Sequence, residues 1–392
     1  MNQIQKKIMI VAGESSGDSH AANLVKAMRE GSPGISFEFF GATGKKMREA
    51  GVETVVEADH FGIIGVPEVA KALPMFWRVF QTLKRAAIER APDAVILVDF
   101  PEFNLKLAKA LKHSGLKVVY YISPQLWAWR KYRARAIKNY VGLLLAILPF
   151  EKNWYSERGI RNVEYVGNPL AGEVKVKLSK EEFCVKHNLD PSRPVIALLA
   201  GSRKKEVSRI LPVLLETASM MAEKEPSLQF VNAIASTRSD AEIAALIADF
   251  TAKGKSLPEK FVSVRDETYD ALNAADAAAV TSGTATLETA IIGTPLVVVY
   301  KSTNFNWYAI RPLISVEHFG LVNLIAQKRV AKELIQFELT PDTVGDELFR
   351  LLEPETNKRI RNSLANVSRS LGKGGASARA AEAIADYLNY SS

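Results

Sequence analysis

Short continuous hydrophobic runs alternate with longer amphipathic stretches along this 392-residue chain. Runs of strand length occupy residues 8–12, 37–40, 94–98, 118–122, 195–199, 229–233, 277–281 and 296–300. Continuous apolar strands separated by helices are typical of a parallel sheet that is covered on both faces. Because the pattern occurs once in each half of the chain, it predicts two doubly wound α/β domains.

The boundary between the domains is predicted at residues 167–176, following the turn Gly167-Asn168-Pro169-Leu170. We assign residues 1–170 to an N-terminal Rossmann-like domain and residues 171–365 to a C-terminal one. A helix at about residues 376–390 follows a Ser/Gly-rich segment, and we expect it to pack back on a Rossmann-like domain.

Composition narrows the class of protein. The net charge of +8 favours anionic partners, either phosphates, nucleic acid or an acidic membrane surface, although a merely basic surface would also explain it. Cys184 is the sole cysteine, so no internal disulfide can form. We find no signal peptide and no run approaching the ~18 apolar residues of a membrane span. We therefore expect a soluble or peripheral cytoplasmic protein.

Metal and nucleic-acid chemistry find no support in the sequence. The five histidines show no ligand spacing, and neither DxD nor HExxH occurs. Nucleic-acid-binding modules are also absent. We expect no metal, no cofactor and no nucleic acid as partner.

The first strand ends in the loop Gly13-Glu14-Ser15-Ser16-Gly17-Asp18, and a helix follows. The loop can bind an anion at the helix N-terminus, but it is not the G-x-G-x-x-G fingerprint, which disfavours a nicotinamide or flavin site. Asp18 could simply cap the helix. Capping does not explain Glu14, whose carboxylate at a strand end favours a functional role.

Asp99 follows the apolar run 94–98, at the carboxyl end of a predicted central strand. Open α/β sheets place their active crevice at this edge. A partly desolvated carboxylate there could accept a proton from a substrate hydroxyl, or Asp99 could cap the next turn.

Two loops of the second half suit a nucleoside diphosphate. The guanidinium of Arg203, in Gly201-Ser202-Arg203, could hold phosphate oxygens. Ser282, Gly283 and Thr284 open a helix and could form a second phosphate cradle. Glu288 lies one turn further and could accept hydrogen bonds from ribose hydroxyls. Helix caps and solvated charges are the simpler explanation for each loop alone.

The stretch Val66–Arg90 combines bulky apolar residues at helical spacing with basic ones. The pattern fits either a helix that faces the core or an interfacial membrane helix. The membrane-contact candidates are Met75, Phe76, Trp77 and Phe80.

Several segments together resemble the lipid-A-disaccharide synthase family. They run in order from residue 8 to about 330, and the Ser-Pro-x-x-Trp-Ala-Trp-Arg segment is the most specific. They are Ala12-Gly13-Glu14-Ser15-Ser16-Gly17-Asp18, Asp99-Phe100-Pro101-Glu102-Phe103-Asn104, Tyr121-Ile122-Ser123-Pro124-Gln125-Leu126-Trp127-Ala128-Trp129-Arg130, Leu148-Pro149-Phe150-Glu151, Tyr165-Val166-Gly167-Asn168-Pro169-Leu170, Gly201-Ser202-Arg203 with Glu206, and Ser282-Gly283-Thr284-Ala285-Thr286-Leu287-Glu288.

The resemblance implies a GT-B fold, that is, two Rossmann-like doubly wound parallel-sheet domains with a crevice between them. It implies an inverting hexosyltransferase without an obligatory metal. The donor UDP-2,3-diacylglucosamine would react with 2,3-diacylglucosamine 1-phosphate to give UDP and a β-1,6-linked lipid A disaccharide 1-phosphate. Family members act at the inner face of the inner membrane, so an anionic membrane surface is an expected partner. Whether the protein forms a homodimer is left open by the resemblance.

The resemblance also suggests residue roles. Asp99 would be the general base, with Glu14 as the second choice. Asn323 and Gln327 would join the donor loops near the sugar or phosphates. Candidates for acceptor or phosphate binding are Ser16, Asp18, Ser123, Trp127 and Arg130. Two departures weaken the match: Val322 replaces the usual proline before Asn323, and Ala200 replaces the usual proline before Gly201.

Two other functions remain open at this point. A UDP-N-acetylglucosamine 2-epimerase would share the fold but catalyse an isomerisation. A non-catalytic nucleotide-sugar-binding protein would bind UDP without transfer, although the presence of both Asp99 and Glu14 argues against it.

Overall fold

A computed structural model describes residues 4–31, 34–59, 66–128, 130–304, 307–308 and 317–389. The chain divides into two compact units. The first comprises Met1–Pro169 together with Lys373–Ser392, and the second comprises Leu170–Gly372.

The first unit is a seven-stranded parallel sheet with helices between its strands. Its strands lie in the order β3-β2-β1-β4-β5-β6-β7. Up to residue 169 the elements are β1 (Ile4–Ala12), α1 (Ser15–Gly31), β2 (Ile35–Thr43), α2 (Lys45–Glu49), β3 (Glu53–Glu57), α3 (Val66–Arg90), β4 (Ala94–Val98), α4 (Pro101–His113), β5 (Val118–Tyr121), a 3₁₀ turn (Lys131–Arg133), α5 (Ala134–Tyr140), β6 (Leu143–Ala146), α6 (Glu151–Ser156) and β7 (Val163–Tyr165).

The second unit is a six-stranded parallel sheet in the order β10-β9-β8-β11-β12-β13. Its elements are α7 (Leu170–Glu173), α8 (Lys180–Lys186), β8 (Val195–Leu199), α9 (Lys204–Lys224), β9 (Gln229–Ile234), α10 (Asp240–Ala252), β10 (Phe261–Arg265), α11 (Thr268–Ala274), β11 (Ala277–Thr281), α12 (Ala285–Ile292), β12 (Leu296–Tyr300), α13 (Leu321–Ala326), β13 (Glu333–Ile335), α14 (Pro341–Leu352) and α15 (Pro354–Ser370).

The last helix, α16 (Ala376–Asn389), returns to the first unit. Ile384 and Leu388 join a buried cluster with Leu24 and Met28 of α1. The guanidinium of Arg379 also donates to the Val166 carbonyl, at 2.8 Å. The chain end thus supplies part of the hydrophobic layer on one face of the first sheet.

The order of the strands explains where functional loops can lie. In the first unit β1 pairs with both β2 and β4, and in the second unit β8 pairs with both β9 and β11. The strand order therefore changes direction at the β1/β4 and β8/β11 pairs. Such switch points open crevices at the carboxyl ends of parallel strands. The prediction of two doubly wound parallel-sheet domains is confirmed.

Helix α3 has a buried face and an exposed face. Leu83 and Ala87 are fully buried, whereas Leu73, Met75 and Trp77 are exposed, Trp77 by 63%. One face of α3 therefore packs on the core, and another leaves apolar side chains exposed. No helix in the described ranges is long and apolar enough to cross a membrane.

Candidate active site

Asp99 lies directly after β4, in a backbone conformation that non-glycine residues rarely adopt. Its φ is +48°, and that of Phe100 is +50°. The Asp99 N–H donates to the Tyr121 carbonyl at 3.0 Å, and the Asp99 carbonyl accepts from Asn104 at 2.8 Å. Strained backbone persists where surrounding bonds enforce it, and such strain clusters at functional sites. The backbone of Asp99 is therefore held rigidly at the end of its strand.

The carboxyl group of Asp99 is suited to proton transfer. Burial raises its pKa to about 6, and the negative charge of Glu14 acts in the same direction, while the Phe100 N–H and His20 lower it. Glu14 itself is exposed, in the loop after the neighbouring strand β1. The structure thus brings together the two carboxylates that the sequence selected. A base with a pKa near the working pH is effective in general base catalysis.

The ring of Phe100 links this loop to helix α3. A Cβ on Gly13 would lie 2.3 Å from the Phe100 ring, so this contact requires glycine. Phe76 lies 6.2 Å from Phe100, between ring centroids, and Phe80 lies 6.1 Å from Phe103. Phe76 and Phe80, two of the four candidates for membrane contact, are therefore partly buried in an aromatic cluster beside the site.

The carboxylate of Asp18, a candidate for acceptor binding or helix capping, is bound within the first unit. Its carboxylate accepts from the backbone N–H groups of Gly44, Lys46 and Met47, at 2.9, 2.8 and 3.1 Å. These donors lie at the start of α2, so Asp18 caps a helix other than its own. Ser16, in the first turn of α1, is exposed.

Trp127, another candidate for acceptor binding, is bound within the first unit. Its side chain is 5% exposed, and its indole N–H donates to Glu151 at 3.0 Å. Glu151 is fully buried and also accepts from the N–H groups of Ile147 and Leu148. Burial raises the pKa of Glu151, and its hydrogen bonds oppose the shift. Ser123, on the same loop as Trp127, is buried as well.

Arg130 is bound to an acidic partner beside the site. Its guanidinium and that of Arg133 both contact the carboxylate of Glu102, Arg133 through two bonds of 2.8 Å. Burial raises the pKa of Glu102, but the Arg133 hydrogen bond and the charges of both arginines lower it overall. Glu102 lies in the first turn of α4, three residues after Asp99. The pairing joins the motif that begins at Asp99 to the motif that ends at Arg130.

In the second unit, Arg203 lies after β8, and its side chain is 80% exposed. It contacts Glu206 at 3.1 Å. Gly201 has a φ of +109°, and a Cβ there would come within 3.2 Å of Glu206. The loop after β8 thus presents a guanidinium to solvent on a backbone that favours glycine.

The loop after the adjacent strand β11 opens helix α12. Gly283 has a φ of +144° and Thr284 is exposed. The hydroxyl of Ser282 donates to the Phe319 carbonyl at 2.9 Å, so its hydrogen is committed within the protein. The expectation of direct phosphate binding thus fits the N–H groups at the start of α12 better than the Ser282 hydroxyl.

Glu288 lies on α12 and is largely buried. Burial raises its pKa, and so does the charge of Glu173, whereas a hydrogen bond from the Tyr269 hydroxyl, 3.1 Å long, opposes them. One oxygen of Glu288 thus has a partner that the sequence did not indicate.

Asn323, a candidate for donor binding, has both side-chain polar atoms in internal hydrogen bonds. It is fully buried, its amide donates to Ala331 and Glu333, and its carbonyl accepts from the N–H groups of Val330 and Ala331. Gln327, at the end of α13, is exposed with a φ of +52°.

Sequence reasoning assigned no role to Tyr120, Glu151, Tyr269 or Glu333. The Tyr120 hydroxyl donates to the Asp99 carbonyl at 2.6 Å. Tyr120 and Glu333 stand in strands, and Tyr269 in helix α11, whose patterns carry no chemical signal. Glu151 ends the motif Leu148-Pro149-Phe150-Glu151, and its position after an apolar run was the available signal. Within the described ranges no cluster of three or more His, Cys, Asp and Glu side chains could hold a metal ion.

Solved structures with the same architecture define the class. A calicheamicin glycosyltransferase superposes with a TM-score of 0.61 at 16% identity, covering 99% of both chains. A UDP-GlcNAc 2-epimerase from Neisseria meningitidis, bound to UDP-GlcNAc, gives 0.65 at 14% identity, covering 98% of this chain and all of its own. At such identities the likeness shows the fold alone, which is GT-B.

Sequence relatives then identify the family. The family model described as lipid-A-disaccharide synthetase matches residues 8–386. A lipid-A-disaccharide synthase from Trichlorobacter lovleyi is 42% identical over 387 residues, or 98% of each chain. One from Syntrophus aciditrophicus is 43% identical over 377 residues, or 96% of each chain. The chain belongs to the lipid-A-disaccharide synthase family and is a glycosyltransferase of lipid A biosynthesis.

Proposed function

We propose that the chain transfers the sugar of UDP-2,3-diacylglucosamine to 2,3-diacylglucosamine 1-phosphate. The products are UDP and the β-1,6-linked disaccharide 1-phosphate. The first unit binds the acceptor and the second binds the UDP donor. Asp99 carries the proposal: its carboxyl stands at the β1/β4 switch point, with a pKa raised to about 6 by burial and by Glu14.

In the proposed reaction, Asp99 accepts the proton of the acceptor 6-hydroxyl. The oxygen attacks the anomeric carbon of the donor, and the bond from that carbon to the diphosphate breaks. A single displacement inverts the configuration. UDP leaves with the electron pair, and Arg203 and the N-terminus of α12 stabilise its negative charge.

We propose that this charge needs no metal. The guanidinium of Arg203 is exposed and the helix N-terminus adds N–H donors, so positive potential is present without a metal ion. Glu288 is suited to the ribose, because a largely buried carboxylate accepts strong hydrogen bonds from hydroxyl groups.

The exposed face of α3 is proposed to contact an anionic membrane surface at the inner face of the inner membrane. Leu73, Met75 and Trp77 present apolar area, and Arg78 and Arg85 supply exposed positive charge. Since both proposed substrates carry acyl chains, a site next to the bilayer shortens their path.

The test is mass spectrometry of the products after incubation with both diacylated substrates in detergent, with proton NMR of the new anomeric centre. We expect a disaccharide 1-phosphate, the β configuration, and the same turnover in EDTA. Absence of the disaccharide, or an α linkage, would refute the reaction. Loss of turnover in EDTA with recovery on adding Mg²⁺ would refute only the metal-free proposal.

A further inference from the structure

A buried carboxylate in the second unit holds one peptide group that in turn contacts the donor loop. Glu333, the first residue of β13, is 8% exposed. Its carboxylate accepts from the N–H of Phe319 at 2.9 Å, from the N–H of Gly320 at 2.8 Å and from the Asn323 amide at 2.8 Å. A buried carboxylate with three neutral donors fixes those donors, because releasing any of them leaves charge unsatisfied.

The peptide group between Phe319 and Gly320 is held on both sides. Its N–H belongs to Gly320 and donates to Glu333, and its carbonyl belongs to Phe319 and accepts from the Ser282 hydroxyl at 2.9 Å. In a trans peptide the N–H and the C=O point in opposite directions. The plane of this peptide therefore links the carboxylate on one side to the start of the donor loop on the other.

The surroundings of Gly320 leave little space for a side chain at this position. A Cβ on Gly320 would lie 3.2 Å from the Glu333 carboxylate and 3.1 Å from Val298. Ser282 is fixed at its backbone too, since its N–H donates to the Val299 carbonyl at 2.9 Å. With its hydroxyl and its N–H both bound, Ser282 has little freedom to move relative to β12.

We infer that Glu333 is a positioning residue for UDP binding: it sets the 319–320 peptide, and that peptide orients Ser282 and the Ser282-Gly283-Thr284 loop. The inference rests on the proposed function, because it takes this loop as the diphosphate site. Glu333 contacts no substrate in this arrangement. Its effect reaches the ligand through Ser282 alone.

The experiment is a double-mutant cycle on UDP affinity, measured by calorimetry with the full chain. The variants are Glu333→Gln, Ser282→Ala and the double variant. We expect Glu333→Gln to weaken UDP binding about tenfold, since the amide replaces one acceptor with a donor facing N–H groups. The two residues act in series in this proposal. The double variant should therefore bind UDP about as weakly as the single variant with the lower UDP affinity.

Glu347→Gln is the matched control. Glu347 is a buried carboxylate of the same unit, 3% exposed, but its partners are the side chains of Arg350 on α14 and, at 3.9 Å, of Lys332. This variant should lower the Tm and leave UDP affinity within about twofold.

In turnover assays Glu333→Gln should raise the KM for the donor and leave the KM for the acceptor within about twofold. General destabilisation would not produce this difference between the two KM values.

Two results would overturn the inference. One is folded Glu333→Gln protein with UDP affinity within about twofold of wild type while Ser282→Ala binds weakly. The other is a double variant whose loss equals the product of the single losses, which shows independent action. If Glu333→Gln does not fold, Gly320→Ala replaces it in the cycle, because the added methyl presses on the same carboxylate. Unchanged UDP affinity in Ser282→Ala, Arg203→Ala and Glu288→Ala together would instead refute the proposed donor site.

Discussion

The Tyr120 hydroxyl donates to the backbone carbonyl of Asp99 at 2.6 Å. Tyr120 is fully buried on β5, and burial, with the nearby Asp99 charge, raises the pKa of its phenol. A neutral phenol on the neighbouring strand therefore holds the Asp99 backbone in its left-handed conformation. The side chain of Asp99 is left to face the loop of Glu14.

Replacing the proposed base tests its role directly. Asp99→Ala should lower kcat by ~10²–10⁴, the usual effect of removing a general base, with little change in the KM for the donor. Initial rates with both substrates in detergent measure this. The matched variant is Glu14→Gln, which should retain more activity. A larger loss in Glu14→Gln than in Asp99→Ala would transfer the base role to Glu14.

The pH dependence of kcat/KM should report the ionisation of Asp99. The base must be unprotonated, so activity should fall as pH drops below about 6, the raised pKa of this group. Removing the negative charge of Glu14 should lower that pKa, and the acid limb of Glu14→Gln should move to lower pH. An unchanged acid limb in this variant would show that the two carboxylates do not interact.

Asp99 should also reduce stability at neutral pH. Its pKa is about 6 in the folded chain against an ordinary value of 3.8, so the folded state holds this proton more tightly. The contribution of Asp99 to the free energy of unfolding is therefore lost as pH rises from about 4 to 6, and it does not return at higher pH. Asp99→Asn should raise the free energy of unfolding of its unit at pH 8 by about 1–3 kcal/mol. Melting curves at pH 8 and pH 4.5 test this, and an equal gain at both would contradict it.

Arg203 and Glu288 should each contribute to UDP affinity. Truncating either to Ala removes a charge-assisted hydrogen bond of about 1.5–3 kcal/mol, which is about ten- to hundredfold in Kd. Calorimetric titration with UDP measures it. Arg265→Ala is the control, since Arg265 also pairs with an acid in the second unit, Asp240, yet lies outside the proposed site. Wild-type UDP affinity in Arg203→Ala and Glu288→Ala, as in the Arg265→Ala control, would place the nucleotide elsewhere.

The exposed face of α3 should bind membranes. Replacing Met75 and Trp77 by Ser removes exposed apolar area. Phe80 loses its stacking contact with Trp77, 6.0 Å between centroids, but Phe76 and Phe80 keep their contacts with Phe100 and Phe103. Co-sedimentation with vesicles containing phosphatidylglycerol should fall and the KM for lipid substrates should rise. The Tm should change little. Phe76→Ser is the contrasting variant and should lower the Tm through lost packing. Unchanged vesicle binding by folded Met75→Ser/Trp77→Ser protein would exclude this face.

The sequence by itself determined the two-domain parallel architecture. Apolar runs such as 94–98 and 277–281 coincide with β4 and β11, because a strand buried on both faces needs continuous hydrophobicity. Short or half-exposed strands, such as β7 and β13, carry too few residues to show a period. Asp99, Glu14 and Arg203 could be selected because each lies within four residues after the end of such an apolar run, and strand ends of this kind form the crevice of an open sheet.

Only the tertiary structure decided which polar residues are available to a ligand. Asp18, Trp127 and Asn323 were candidates like Asp99, but their polar atoms are bound to partners outside their own motifs, 24 or more residues away for Asp18 and Trp127 and 7 to 10 residues away for Asn323. Hydrogen-bond partners that are not near neighbours in the chain leave no local pattern in the sequence. The same is true of Glu333, an ordinary acidic residue in sequence, which the packing of β13 against α13 makes a buried acceptor of three hydrogen bonds.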